Sequence, residues 1–172
     1  MDTKKVLIAL SKALPPNERR RLYICGGAAL NLLGISRRET ADIDVLDPKL
    51  DDIIKNAGVN VARQFGLSEK WLNNGPVSLL RDLEPGWKER AVLAFSDEKL
   101  KVFSLSRQEL INSKLWAACD RLQDIADMVF LAPTEAELET AKQWVLPLDA
   151  SELWPDIVDQ CLEVIRKRLK DE

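Results

Sequence analysis

Two carboxylates lie two residues apart in the segment Ala-Asp-Ile-Asp-Val, at Asp42 and Asp44. If this segment is a strand, both carboxylates face one cleft while Ile43 and Val45 face the core, because side chains alternate between the two faces of a sheet. Mg²⁺ prefers carboxylate and phosphate oxygens, and one or two such ions assist phosphoryl transfer. We therefore expect Asp42 and Asp44 to hold Mg²⁺ or Mn²⁺, although an isolated Asp-x-Asp is more often a solvated strand end.

A glycine pair precedes these acids along the chain. Gly26 and Gly27 follow the apolar run Leu-Tyr-Ile-Cys and lead into an apolar helix that we expect at residues 28–33. Backbone N–H groups at such a junction can approach a phosphate. The alternative is a tight junction that only lets a helix and a sheet pack closely. The acidic pair on the following strand favours the phosphate-binding interpretation.

A lysine and two further acids lie downstream in a helical region. Lys114 is seven residues before Arg121 and shares a helix face with it if the helix continues. An ammonium group at this position could meet triphosphate oxygens as a point charge, and a solvent-facing lysine is the alternative. For Asp124 and Asp127 we expect a structural pairing with Arg121 rather than a catalytic role.

Taken together, these strings resemble a known superfamily over roughly residues 21–130. Gly-Gly-x-Ala-x-x-x-x-Gly from Gly26, followed by Arg-x-Thr-x-Asp-Ile-Asp-Val from Arg38, is similar to the opening of the nucleotidyltransferase fold. Lys-x-x-Ala from Lys114, followed by Arg-x-x-Asp-x-x-Asp from Arg121, resembles small bacterial nucleotidyltransferases of abortive-infection and toxin–antitoxin systems.

This resemblance implies a fold, a reaction and a set of roles. The fold is α+β: a minimal nucleotidyltransferase core with a small mixed sheet and flanking helices, plus a C-terminal helical bundle. The reaction moves a nucleotide from a nucleoside triphosphate to an RNA such as a tRNA, or to a protein, in a toxin opposed by an antitoxin protein. The alternative is a degenerate member that binds nucleotide or a partner protein without turnover. The implied roles are catalysis for Asp42, Asp44 and Lys114, metal binding for Asp42 and Asp44, and triphosphate binding for Gly26, Gly27, Arg38, Thr40 and Lys114.

One departure from the superfamily concerns a third carboxylate, which its members usually supply from a later strand. The hairpin that we expect from residues 90–95 and 100–105 carries no acid in its strands. Ser104 stands where such an acid is expected, and Asp97 lies in the predicted turn. Asp97, Asp124 and Asp127 are the open candidates for a third carboxylate.

The composition limits the other possibilities. The chain has 172 residues, of which 46% are hydrophobic and 31% charged, so an ordinary globular core is expected. It has no histidine, which excludes Ser-His and Cys-His catalytic pairs and zinc sites built on histidine. A net charge of −3 argues against a surface that is basic throughout. No apolar run reaches the length of a membrane span, and a cytoplasmic location is the default expectation.

Periodicity and turn residues predict the remaining elements. We expect a nucleotidyltransferase core at 1–106 and a helical part at 107–172 packed on it. Residues 19–21 are interpreted as a solvated turn, with guidance of an RNA acceptor or the triphosphate as the alternative. The expected elements are helices at 3–14, 47–65 (loosened near Gly58), 107–119, 121–131, 135–146 and 155–170, strands at 22–25 and 41–46, and irregular structure at 66–90 with a brief strand at 77–80.

Overall fold

The computed structural model describes residues 1–121 and 124–171, with the exception of the Val77 side chain. The chain divides into two units, Met1–Ser106 and Arg107–Glu172. The first unit contains a mixed sheet with helices, and the second is helical in its described residues. The predicted α+β class is therefore confirmed.

The centre of the N-terminal unit is a five-stranded sheet in the order β3-β2-β1-β5-β4. Strand β1 pairs antiparallel with β2 and parallel with β5, while β4 and β5 form an antiparallel hairpin and β3 runs parallel to β2. The strands are β1 (Arg20–Cys25), β2 (Ile43–Asp47), β3 (Leu72–Asn73), β4 (Val92–Ser96) and β5 (Leu100–Ser104). The predicted hairpin is confirmed.

Helices of the same unit flank this sheet, and one face of the sheet is buried. Alternate residues of the central strands, such as Leu22, Ile24, Leu100 and Val102, are fully buried, so this face forms the core. The helices are α1 (Thr3–Ala13), α2 (Gly26–Leu32), α3 (Asp52–Phe65) and the short α4 (Trp87–Arg90), with a 3₁₀ helix at Gly75–Arg81.

Helix α3 differs from its prediction at two points. It begins at Asp52 rather than at residue 47, because Asp51 caps it by accepting a 3.1 Å bond from the Ile54 backbone N–H. It also runs through Gly58 without interruption. The buried Trp71 packs against the helix at this point, since its Nε1 donates to the Gly58 carbonyl at 2.9 Å.

Two further predictions in this unit are wrong. Residues 77–80 lie in the 3₁₀ helix instead of a strand. Arg20 and Arg21 belong to β1 instead of a solvated turn. Their charged side chains hid the strand, although the alternation with Leu22 and Ile24 continues through them.

The C-terminal unit consists of α5 (Arg107–Asp120), α6 (Ile125–Leu131), α7 (Glu135–Val145) and α8 (Trp154–Lys170), with a 3₁₀ turn at Leu146–Leu148. Its core includes Leu110, Leu138 and Leu162, and Trp116 meets Trp144 edge to face at 6.5 Å. These helices were expected, but the start placed at 121 falls partly on residues 122 and 123, outside the described residues. In the described part of the chain no helix combines the length and apolar character that crossing a membrane requires.

Candidate active site

Asp44 occupies the second position of β2, between two neighbouring strands. It lies opposite Cys25 of β1 and opposite Asn73 of β3, and its side chain is partly exposed. A methyl group built on Gly26 would stand 2.9 Å from Asp44 Oδ2, and one built on Gly75 would stand 3.8 Å from Asp44 Oδ1. The carboxylate of Asp44 is therefore held between two glycines.

Gly26 is the first residue of α2 and has a φ of +72°, in the left-handed region that disfavours side chains. Any other residue would both strain the backbone and displace the Asp44 carboxylate. The neighbouring Gly27 approaches Thr40, since a methyl group on it would lie 3.3 Å from Thr40 Oγ1. The two glycines thus form the floor beneath Asp44 and Thr40.

Thr40 connects this floor to Asp42. Its hydroxyl donates to the Asp42 backbone carbonyl at 3.1 Å and also lies 3.5 Å from Asp42 Oδ1. Asp42 itself immediately precedes β2, which begins at Ile43. The structure therefore brings five residues predicted from the sequence into one cluster: Gly26, Gly27, Thr40, Asp42 and Asp44.

Arg38 lies in the loop that leads to this cluster. Its backbone is fixed, because its N–H donates to Ser36 Oγ at 3.1 Å and its carbonyl accepts from Asn31 Nδ2 at 3.4 Å. The residue is exposed and stands two positions before Thr40. Its predicted contact with a triphosphate stays a prediction.

Lys114 lies in α5 of the C-terminal unit and is buried. Its ammonium group is 3.0 Å from Asp124 Oδ1 and 2.5 Å from Asp127 Oδ2. Burial by itself would lower the pKa of Lys114, but the hydrogen bonds and charges of Asp127 and Asp124 outweigh it and raise that pKa. Lys114 is a charged lysine held by two carboxylates.

The expected pairing of Arg121 with Asp124 is present at 3.2 Å, and Lys114 contacts the same carboxyl group at 3.0 Å. The Arg121 N–H still donates to the Ala117 carbonyl of α5. Helix α5 ends at Asp120, and the next described helix begins at Ile125. Asp124 is the N-cap of α6 and Asp127 lies in its first turn, and both carboxylates contact Lys114 of α5. The predicted phosphate contact of Lys114 is not tested by this geometry.

A third carboxylate does not join Asp42 and Asp44 from the hairpin. β5 runs from Leu100, opposite Arg20, towards Cys25, so the turn that holds Asp97 lies at the far end of the sheet from Asp44. Ser104 is fully buried and donates to the Leu105 carbonyl, so it does not stand in the cleft as expected.

The donor set of the cluster therefore consists of two carboxylates. In residues 1–121 and 124–171, no group of three or more acidic or sulfur ligands is arranged to hold a metal ion. Mg²⁺ is commonly bound through one or two carboxylates together with waters and substrate phosphates. Asp42 and Asp44 fit an ion of that kind, which would enter with the triphosphate.

A family of proteins described as nucleotidyltransferases matches most of the chain. Residues 4–138 match the family model DUF6036, described as a nucleotidyltransferase of unknown function. The match covers well over half of the chain. The chain belongs to this family. No curated protein and no solved structure matches the chain significantly.

The matched region of this DUF6036 nucleotidyltransferase takes in both groups of residues that the sequence singled out. It includes the cluster around Asp44 and the segment from Lys114 to Asp127, and it ends within α7. The resemblance to the nucleotidyltransferase superfamily is thereby confirmed, while the acceptor, the metal and the toxin role stay predictions.

Three residues of the site were missed because residues 66–90 were expected to be mostly irregular. Asn73 pairs with Asp44 across the sheet, and its Oδ1 accepts a 2.6 Å bond from the Gly75 N–H. The amide of Asn74 donates to the Val45 carbonyl at 2.8 Å and accepts from the Leu50 N–H at 2.8 Å. The signal available in the sequence was the pair of amides Asn73 and Asn74, which follows two apolar residues and precedes a glycine.

Proposed function

We propose that this protein transfers a nucleotide from a nucleoside triphosphate to an acceptor hydroxyl, with Asp42 and Asp44 as its metal-binding carboxylates. The observation that carries the proposal is the packing of the Asp44 carboxylate against Gly26. Gly26 has a positive φ, and a side chain on it would occupy the position of that carboxylate. The link from Gly27 through Thr40 to Asp42 adds the second carboxylate to the same cluster.

In this mechanism the residues of the chain orient the reactants and move one proton. Asp42 and Asp44 would hold a divalent ion, which when bound would supply Lewis-acid polarisation of the phosphate oxygens. The acceptor oxygen attacks the α-phosphorus, a new O–P bond forms, and the bond to the β-phosphate breaks to release pyrophosphate. The hydroxyl proton passes to one of the two carboxylates. Gly26 and Gly27 keep the floor free of side chains where the phosphates lie.

For the acceptor we propose an RNA such as a tRNA, or a protein, and for the biological role a toxin of the bacterial cytoplasm that is neutralised by an antitoxin protein. The likeness of the Lys114 and Arg121 strings to such toxins supports this role. Lys114 and Arg38 are included as proposed ligands of the triphosphate.

The test is transfer of label from each nucleoside triphosphate to total RNA or total protein in the presence of Mg²⁺. Asp42→Asn and Asp44→Asn keep the side-chain shape and remove the charge, so transfer should fall at least about 100-fold. Asp52→Asn, at an exposed acid in the first turn of α3, is the matched control and should leave transfer unchanged. Absence of transfer by the wild type, or equal transfer by the Asp44 variant, would refute the proposal.

A second candidate function is favoured by the two-carboxylate donor set. A member without a third acid could bind the nucleotide, or a partner protein, without turnover. Calorimetry with Mg²⁺ and each triphosphate distinguishes the two functions. Saturable binding with no labelled product identifies a binding protein, whereas binding accompanied by pyrophosphate release identifies the enzyme.

A further inference from the structure

The face of the sheet opposite the core carries charged and aromatic side chains. Leu22 and Ile24 of β1 point into the core. Side chains alternate along a strand, so Arg21 and Tyr23 point to the other face. The same alternation in β5 places Lys101 on that outer face. Arg21 and Lys101 are exposed, and Tyr23 is partly exposed.

Arg21 and Lys101 form a pair of like charges. They lie directly opposite each other on the parallel strands β1 and β5. Like charges in this position destabilise a sheet unless an anion neutralises them. In the part of the chain that the structure describes, neither side chain has an ion-pair or hydrogen-bond partner. We therefore expect Arg21 and Lys101 to bind an anion from another molecule.

Aromatic rings form the adjacent row of the same face. Tyr23 lies opposite Phe103, and their rings stack with centroids 5.2 Å apart at an interplanar angle of 22°. Trp87 meets the Tyr23 ring edge to face at 5.3 Å. The ammonium group of Lys88 lies 5.3 Å from the Tyr23 ring and 2.7 Å from Asp47. Aromatic rings on a sheet surface are platforms on which nucleobases stack.

A bulge in β2 places its acids on this outer face. The partners of β1 shift from Asp47 to Val45 between Tyr23 and Ile24, so Leu46 is the extra residue. Val45 and Leu46 are both buried, whereas Asp44 and Asp47 on either side are partly exposed. Asp44 therefore lies on the same face as the aromatic row.

The aromatic row and the cationic row lie at increasing distance from the candidate active site along β1. Asp44 is level with Cys25, Tyr23 lies two residues back along β1, and Arg21 lies two residues further. At about 3.3 Å per residue, each row is about 7 Å from the last. A single-stranded RNA that runs along these rows can place a phosphate at the cationic row and a base at the aromatic row.

We propose that this outer-face patch, formed by Arg21, Tyr23, Trp87, Lys88, Lys101 and Phe103, binds the single-stranded 3′ end of an RNA acceptor. Arg21 and Lys101 contact phosphates, and the aromatic rings stack on bases, so that the terminal hydroxyl reaches the Asp44 end of the sheet. The assignment of the RNA as acceptor rests on the proposed function, whereas the binding of the RNA does not. The unneutralised cations favour a polyanion over a protein partner, although Leu93 next to Phe103 is 50% exposed.

The binding test uses a fluorescently labelled single-stranded RNA of about 12 nucleotides and anisotropy, without nucleoside triphosphate. Arg21→Gln with Lys101→Gln should weaken binding at least tenfold and reduce the slope of log affinity against log salt by about 1.4, since two phosphate contacts are lost. Phe103→Leu keeps apolar volume, removes a stacking surface and should weaken binding at least fivefold. Lys4→Gln with Lys12→Gln removes two exposed charges from α1 and is the matched control.

Stability distinguishes a binding role from a structural one. Removing the like-charge pair should leave the melting temperature of the Arg21 and Lys101 double variant unchanged or higher, even though RNA binding is lost. A double variant that binds RNA like the wild type overturns the proposal. The proposal is also overturned if the wild-type protein does not bind single-stranded RNA at low salt. The same holds if the patch binds a protein and not RNA.

The two proposals can fail separately. Asp44→Asn should retain RNA binding while it loses nucleotide transfer, because Asp44 lies beyond the cationic row. If the Arg21 and Lys101 double variant still transfers nucleotide to RNA at the wild-type rate under subsaturating RNA, the patch is not the acceptor site and the proposed function stands. If RNA binding follows the expected pattern but neither the wild type nor any variant transfers nucleotide, the proposed function is wrong and the proposed RNA-binding surface is retained.

Discussion

At the scale of single residues, Gly26 determines where the Asp44 carboxylate lies. Its positive φ and the 2.9 Å distance from a built methyl group to Asp44 Oδ2 are two separate reasons for glycine at this position. Gly34 has nearly the same φ, +73°, but a methyl group on it would have no neighbour within 4 Å. The two glycines therefore allow backbone strain to be separated from contact with the carboxylate.

We predict that Gly26→Ala and Gly34→Ala each lower the free energy of unfolding by about 1–2 kcal/mol, because both place an L residue in the left-handed region. Only Gly26→Ala should also reduce nucleotide transfer, by about 100-fold, since the methyl group must move the carboxylate that we propose binds the metal. Urea unfolding and the labelled-nucleotide assay measure the two effects. Equal transfer by both variants would mean that the position of Asp44 is not critical.

The sequence predicted the residues of the cluster better than their contacts. Asp42, Asp44, Gly26 and Gly27 were identifiable because carboxylates on a strand and paired glycines before a helix are local patterns. The partners of Lys114 were not, because they depend on how α6 packs against α5. Local patterns in the sequence do not encode tertiary packing of this kind.

At the scale of elements, Arg107 ties the start of α5 to the ends of two other helices. Its guanidinium contacts Glu137 through Nε at 2.7 Å and donates to the Leu131 carbonyl, at the end of α6, at 2.8 Å. Glu137 belongs to the capping box at the start of α7, in which Thr134 is the N-cap. The hydrogen bond from Arg107 is the largest cause that lowers the pKa of Glu137 from its usual 4.5 to about 2, and hydrogen bonds from Thr134 add to this effect.

We predict that Glu137→Gln destabilises the protein by roughly 1–3 kcal/mol at pH 7, because glutamine preserves the cap and loses the ion pair. The pKa of Glu137 is lower in the folded state, so its contribution is complete above pH 4.5. It is lost as the pH falls from about 4.5 towards 2. Urea unfolding at pH 7 and at pH 3 should show the difference from wild type shrinking.

The control for this comparison is Glu163→Gln at an exposed position of α8. Its effect should be small at both pH values. A difference for Glu137→Gln that stays constant from pH 7 to pH 3 would mean that the ion pair with Arg107 contributes nothing.

The elements that sequence reasoning missed have two separate physical causes. Residues 77–80 contain apolar side chains suited to a strand, but Gly75 and Pro76 start a 3₁₀ helix instead. Arg20 and Arg21 looked like a turn because the outer face of the sheet carries charge. The hairpin was predictable because both of its strands contain apolar residues on either side of a polar turn.

At the scale of the whole molecule, the absence of histidine restricts how the protein responds to pH. Histidine is the side chain whose unperturbed pKa lies between pH 5 and 8. The shifted carboxyl groups Asp2, Asp51, Glu135 and Glu137 all have lowered pKa values, and the pKa of Lys114 is raised, so these shifts lead away from neutral pH. The Cys161 thiol differs from them, because its hydrogen bond with Cys119 lowers its pKa from the usual 9.0.

We therefore predict that the free energy of unfolding changes by less than about 0.5 kcal/mol between pH 6 and pH 7.5 at constant ionic strength. Urea unfolding at three pH values in this range measures it. A steeper dependence would reveal a group that titrates there. Any change in nucleotide transfer over the same range should then come from the reactants or the carboxylate cluster rather than from an imidazole.

The order of elements predicted the α+β class, since strands and helices alternate in the first unit and helices follow in the second. A pattern in the sequence does not determine which strands become neighbours, and the order β3-β2-β1-β5-β4 required the structure. That order is what places Asn73 beside Asp44.

The edge-to-face contact of Trp116 with Trp144 has an optical consequence. Two indole rings 6.5 Å apart at 76° couple their electronic transitions and produce a pair of circular dichroism bands of opposite sign in the far ultraviolet. The two rings belong to α5 and α7, so these bands persist only while those helices stay packed. The C-terminal unit thus carries its own chromophore, which follows its unfolding without a label.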